Sequence, residues 1–100
     1  MSSISSDVLA SYAADAAREV EGVDGLVGAA LHRHKGVRVV EEEGGVRIEL
    51  HLAVSWGASI PKVGLEVQNR VAAYLGRMAD VKLQAVDVVV DEIGPIQTVA

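Results

Sequence analysis

The chain has 100 residues, half of them hydrophobic but only 3% aromatic, with no Phe, no Cys and a formal net charge of −5. That length makes one domain, large enough to bury a single core without covalent staples. The missing cysteine excludes disulfides, thiolate metal sites and a cysteine nucleophile, and the acidic balance argues against phosphate-driven binding of nucleic acid and against direct adsorption to an anionic membrane.

Without Phe, the core falls to Val, Leu, Ile and Ala, a composition suited to β-branched strands and small-residue helix faces. The opening MSSISSD has neither a positive n-region nor an apolar run, so no signal peptide is expected. No apolar run approaches the roughly 20 residues of a membrane span. A cytoplasmic protein without direct membrane insertion is expected.

Residues 1–3 are expected to fray, and Ile4-Ser5 opens a first helix. Ser5 can cap its free N–H groups, Asp7 sits in the positive first turn, and Ile4 can staple onto Leu9. Val8, Tyr12, Ala16 and Val20 recur at helical spacing, with Leu9, Ala13 and Ala17 beside them. Gly22 reads as a left-handed stop, and Val23-Asp24-Gly25 as a turn. Residues 26–33 (LVGAALHR) are read as a short strand, with an irregular apolar connection as the alternative. Lys35-Gly36 is a turn signal, residues 37–41 a strand, and Glu42-Glu43-Gly44-Gly45 a hairpin connection.

Residues 46–56 carry the clearest pattern. Val46, Ile48, Leu50, Leu52, Val54 and Trp56 alternate with Arg47, Glu49, His51, Ala53 and Ser55, which predicts a strand covered on one side. Gly57-Ala58-Ser59 turns the corner, Ser59 or Ile60 caps a second helix, and Pro61 occupies its first turn, where a missing N–H is harmless. Val63, Val67, Val71, Tyr74, Leu75 and Met78 form the apolar stripe of that helix. Residues 81–93 form the last strand. Its apolar parity changes from Val81, Leu83 and Ala85 to Val86, Val88 and Val90; either a bulge near Gln84-Ala85 reconciles the two, or the first three residues are only the approach to the strand. Gly94-Pro95 ends it.

The order α-(β)-β-β-α-β predicts an α/β (α+β) fold, with two helices packed on one face of a small, mostly antiparallel sheet. Residues 1–100 make one domain with its core within 4–93. The opposite sheet face would carry Arg47, Glu49, His51, Ala53, Asp87 and Val89, with Val40 beside them.

No residue set commits the chain to catalysis. His32 and His34 alternate and, with His51, could form a three-imidazole zinc site; exposed histidines in a turn and on a sheet surface are the plainer alternative. Glu41-Glu42-Glu43 suits a solvated hairpin tip better than a cation site, which needs converging oxygens from a shaped loop. Gly22-Val23-Asp24-Gly25 matches the GxxG of RNA-binding KH loops, but carries Asp and lies between a helix and a strand, so it reads as a turn. No P-loop, dinucleotide fingerprint or nucleophile–base set is present. The single Trp56 reads as core.

Several motifs, in this order, carry a family resemblance. Residues 16–26, AAREVEGVDGL, resemble the AA-x-EVEGV-x-G helix end of the bacterial alkaline shock protein family, the Gls-type envelope stress response proteins. Lys35-Gly36-Val37-Arg38-Val39 resembles that family's KGV-x-V strand. Residues 46–61 are similar to its V-x-L-x-V-x-YG-x-SIP signature. Val67-Gln68 and Val71 match its VQ-x-x-V, and residues 86–90 its closing V-x-V-x-V. The chain departs in a short segment between Gly25 and Lys35 and in lacking Thr-Gly after Met78.

The resemblance implies a small α/β domain with no enzymatic activity, no cofactor and no catalytic residue. Members are cytoplasmic, associate with themselves, and in some cases reach the membrane through an anchoring partner. They are linked to cell-envelope homeostasis and stress tolerance. A non-catalytic, self-associating envelope stress protein is therefore expected, with His51, Ala53 and Val89 on the self-association surface. An adaptor for a membrane-anchored partner is the alternative, and a histidine-based metal-binding protein a more distant one.

Overall fold

The computed structural model describes residues 5–28, 36–79 and 81–94. In chain order they form α1 (Ser6–Arg18), β1 (Val23–Leu26), β2 (Val37–Glu42), β3 (Gly45–Val54), α2 (Ile60–Met78) and β4 (Leu83–Ile93). This is the expected order, with the first strand present. The expectations for Ile4, for 29–35 and for the residues beyond Gly94 lie outside the described residues.

Strand β3 is the middle of the sheet. Its burial alternates along its whole length: Val46, Ile48, Leu50, Leu52 and Val54 are buried, and the intervening residues are half-buried. A strand with helices on one side only gives this period-2 pattern. Strand β2 pairs antiparallel with it, Val37 opposite Leu50 through Glu42 opposite Gly45, around a two-residue turn in which Gly44 has φ 86°. Strand β1 pairs antiparallel further along, with Val23 opposite Val54 and Leu26 opposite Leu52. The two share one edge of β3 and meet end to end at His51, whose carbonyl accepts from the Val27 N–H and whose N–H donates to the Gly36 carbonyl, both at 2.8 Å.

Strand β4 takes the other edge and runs parallel to β3. A helix of 19 residues separates them, long enough to carry the chain back along the sheet before β4 begins. The expected bulge is present: Val46 stands opposite Leu83 and Arg47 opposite Ala85, leaving Gln84 as the extra residue. A second shift, between Leu52/Val90 and Ala53/Glu92, leaves Asp91 extra.

Both helices cover the face that carries the even residues of β3. Ser5 caps α1 by accepting from the Val8 N–H at 3.2 Å, and Ser59 caps α2 by accepting from the Lys62 N–H at 3.4 Å. From α1, Leu9, Ala10, Ala13, Ala16 and Ala17 enter the core; from α2, Val63, Val67, Val71 and Leu75 do. Alanine keeps α1 close to its neighbours, and Tyr12 meets Tyr74 edge to face, ring centroids 5.8 Å apart.

Five expectations are corrected. Val23-Asp24-Gly25 is not a turn but most of β1, with a register shift between Val23 and Gly25; the turn precedes it, at Gly22 (φ 100°). Of the strand expected over 26–33, Leu26 belongs to β1, Val27 and Gly28 do not, and 29–33 lie outside the described residues; α1 ends at Arg18, short of Gly22. Val8 and Met78 are exposed, because the buried stripes centre on Leu9 and on Val67–Val71 instead. Trp56, expected in the core, is 59% exposed. Strand β3 stops at Val54, whose carbonyl accepts from the Gly94 N–H. Ser55 then bonds back to Gly22, and the Ala58 N–H to Ser55 closes a turn with Trp56 at its tip and Gly57 at φ 90°.

Candidate functional site

The site follows from parity. Residues that alternate with the core positions of β3 and β4 point away from both helices, so Arg47, Glu49, His51 and Ala53 line up beside Ala85, Asp87 and Val89. On the other side stand Arg38, opposite Glu49, and Val40, opposite Arg47. His51 and Val89 are direct register partners, and Ala53 is the next residue of β3 on the same face. The three residues expected to form an interaction surface are thus side by side. Val89 is 38% exposed; Ala53 is half-buried, opposite Gly25, where no side chain stands.

Apart from the exposed Arg38, the charges at the centre of this face pair with one another. Arg47 bridges strands, its Nη1 3.3 Å from Asp87 on β4 and its Nε 3.4 Å from Glu42 on β2. His51 lies between two carboxylates: Nε2 contacts Glu49 and Nδ1 is 2.8 Å from Asp91. Both ring nitrogens can donate only in the imidazolium form. The bond to Glu49 raises the His51 pKa, burial opposes this, and Asp91 adds to the rise. Asp91 is the partner that sequence reasoning missed. Its parity with Ala85, Asp87 and Val89 was a usable signal, but the bulge beside it hid the register.

A pH dependence follows. His51 has a folded pKa above its ordinary value of about 6.5. Its ion pairs therefore stabilise the fold fully below about pH 6.5, and that contribution fades as pH rises through the raised folded value. Urea midpoints measured from pH 5 to 9 are expected to fall over that interval in the wild type, and His51→Gln is expected to remove that component of the slope. An unchanged slope in the variant would refute the assignment.

His32 and His34 lie outside the described residues. Among the described residues no three His, Asp or Glu side chains are grouped to hold a metal, and His51 turns both nitrogens to carboxylates.

This two-layer α/β domain, with helices on one sheet face and the other face open, has close counterparts among solved structures. A double variant of MamM CTD superposes with a TM-score of 0.66 at 14% identity, covering 89% of this chain and 84% of that one. A single histidine variant gives 0.61 at 15% identity, over 91% of this chain and 100% of that one, and a manganese form gives 0.55 at 16%, over 85% and 95%. At such identity the likeness is one of fold. By sequence, residues 2–95 match the model of the alkaline shock protein 23 family, described by its cell envelope-related function, and the chain belongs to that family. The uncharacterized protein YqhY of Bacillus subtilis (strain 168) is 28% identical over 95 residues, 85% of this chain and 70% of that protein.

Proposed function

We propose that this protein is a non-catalytic, self-associating component of the bacterial envelope stress response that acts from the cytoplasm. Family membership supplies the link to the cell envelope. The observation that carries the self-association reading is the open sheet face, where Val89 and Ala53 lie among charges already paired within the chain. Charges that have partners cost less to cover than lone ones, so a second copy can dock over β3 and β4 with Arg38 of β2 left at the rim in water. A docked, membrane-anchored partner is the second reading, and an envelope-related role favours it, because such a role asks for a physical connection to the envelope. It would use the same surface.

Ala53→Glu tests the face. The position looks away from the core, faces glycine on β1 and stands opposite Glu92 on β4, so the fold should lose no more than about 1 kcal/mol, the like-charge cost of that pair. Light scattering over a concentration series is expected to show self-association in the wild type and a Kd raised at least about tenfold in the variant, because an added carboxylate would be buried at the contact. A wild type that stays monomeric at high concentration would sink the reading.

A further inference from the structure

Strand β4 has an outward row of backbone groups whose direction follows from the pairing. His51 spends its N–H and C=O on Gly36 and Val27, so the odd residues of β3 bond toward β1 and β2 and the even ones toward β4. The bond from the Val46 N–H to the Lys82 carbonyl is one of the latter. In a parallel ladder such a residue bonds to the neighbours of the residue opposite it, not to that residue itself. Ile48, Leu50 and Leu52 stand opposite Val86, Val88 and Val90. Those three valines therefore turn their N–H and C=O groups away from β3. The Gln68 side chain agrees, since its Nε2 donates to the Val86 carbonyl at 3.0 Å. Among the described residues no strand pairs along this edge.

The stretch between the bulges at Gln84 and Asp91 reads VDVVV, residues 86–90. Edge strands are guarded against pairing by charged side chains, Pro or bulges; the two bulges confine this edge to five residues, within which Asp87 is the one charge and neither Lys nor Pro occurs. A shallow groove between Gln68, Asn69 and Ala72 of α2 and the start of β4 leaves room beside it. The edge is also self-complementary. A two-fold axis through Val88 sets Val86 opposite Val90, Val88 opposite its own copy, and Asp87 opposite Val89, so each outward N–H meets a carbonyl, the Val86 carbonyl accepting with the lone pair that Gln68 leaves open. The adjacent registers that keep the same groups facing each other are penalised. Sliding one way sets Asp87 against Asp87, and sliding the other sets Asp87 against Asp91, and like charges directly opposite are destabilising.

We propose that two copies of this chain join through antiparallel pairing of residues 86–90 of β4, extending the sheet across the pair. The inference rests on the self-association reading, but it adds a contact separate from the open face. In this register the exposed Val89 side chain lies across from the partner copy's Asp87, on the side away from the helices.

Amide hydrogen exchange by NMR at low and high protein concentration tests the pairing directly. The Val86, Val88 and Val90 amides are expected to gain at least tenfold protection at high concentration, while those of Asp87 and Val89 stay protected throughout. Val89→Lys, which sets a cation against Asp87 twice per pair, is expected to tighten association severalfold, and Val89→Glu to weaken it by a similar factor. Association in which the three outward amides stay unprotected and both substitutions weaken binding would overturn the edge contact and leave the open-face reading standing. Protection of those amides that requires another protein rather than concentration would assign the edge to that protein and overturn the proposal. A chain monomeric at every concentration would overturn both.

Discussion

Gly36→Ala is expected to cost about 3 kcal/mol or more of unfolding free energy, because it combines two penalties that usually occur apart. Gly36 has φ 97°, where a side chain is strained at about 1–2 kcal/mol, and a Cβ built there would fall 2.5 Å from the Val27 carbonyl oxygen and 3.0 Å from two more main-chain atoms of Val27. Neither side of that contact can yield cheaply. Val27 is held by its bond to the His51 carbonyl and Gly36 by the bond from the His51 N–H, so separating them pulls β1 or β2 off the central strand. Gly57 supplies the control. Its φ is 90°, yet an added Cβ would have no atom within 4 Å, so Gly57→Ala should lose only the conformational part, about 1 kcal/mol. Urea unfolding of the two variants at unchanged m-value measures the difference. Equal losses would mean that the close approach of Val27 and Gly36 contributes nothing. Because the crowded point lies at His51, Gly36→Ala should also shift the NMR titration of that imidazole, whereas Gly57→Ala should not.

How much of this was legible in the sequence depends on what each residue answers to. The period of β3 could be read directly, because one covered face imposes strict alternation on residues 46–54. The caps of both helices could also be read, since Ser5 and Ser59 act on N–H groups three residues away. The bulge at Gln84 was legible as a parity break in the valines. Strand β1 was not, because Val23-Asp24-Gly25 has the composition of a turn; it is extended because β3 offers a partner from Leu52 to Val54, a long-range cause invisible in a local window. Trp56 misled for a local reason. The alternation continues through it, but the turn closed by the Ala58 N–H on the Ser55 carbonyl, with Gly57 at φ 90°, ends the strand before it. The open face divides similarly. The adjacency of His51, Ala53 and Val89 follows from parity alone, whereas the clamp on His51 depends on where the second bulge places Asp91.

Leu50→Ala is expected to be the most damaging conservative truncation, at about 2–5 kcal/mol. Leu50 is fully buried at the middle of the central strand, opposite Val37 on one side and Val88 on the other. The loss has two parts, the transfer free energy of the removed methyl groups and the cavity left behind. The surroundings resist collapse into that cavity because both flanking strands are pinned by their ladders. Set against the 5–15 kcal/mol typical of a whole domain, such a loss would leave a measurable unfolded fraction under mild denaturant. Leu65 is the matched control, the same residue type but 58% exposed on α2, and Leu65→Ala should stay within about 0.5 kcal/mol. The comparison also separates stability from docking. Leu50 points to the helices while its neighbours Glu49 and His51 point to the open face, so the truncation removes no group from the proposed contact surface. Chemical-denaturant midpoints combined with light scattering should therefore show Leu50→Ala losing self-association only in proportion to the unfolded fraction, and Ala53→Glu losing it while folded. Association lost by Leu50→Ala at concentrations where circular dichroism shows a fully folded chain would mean that core packing shapes the docking face directly.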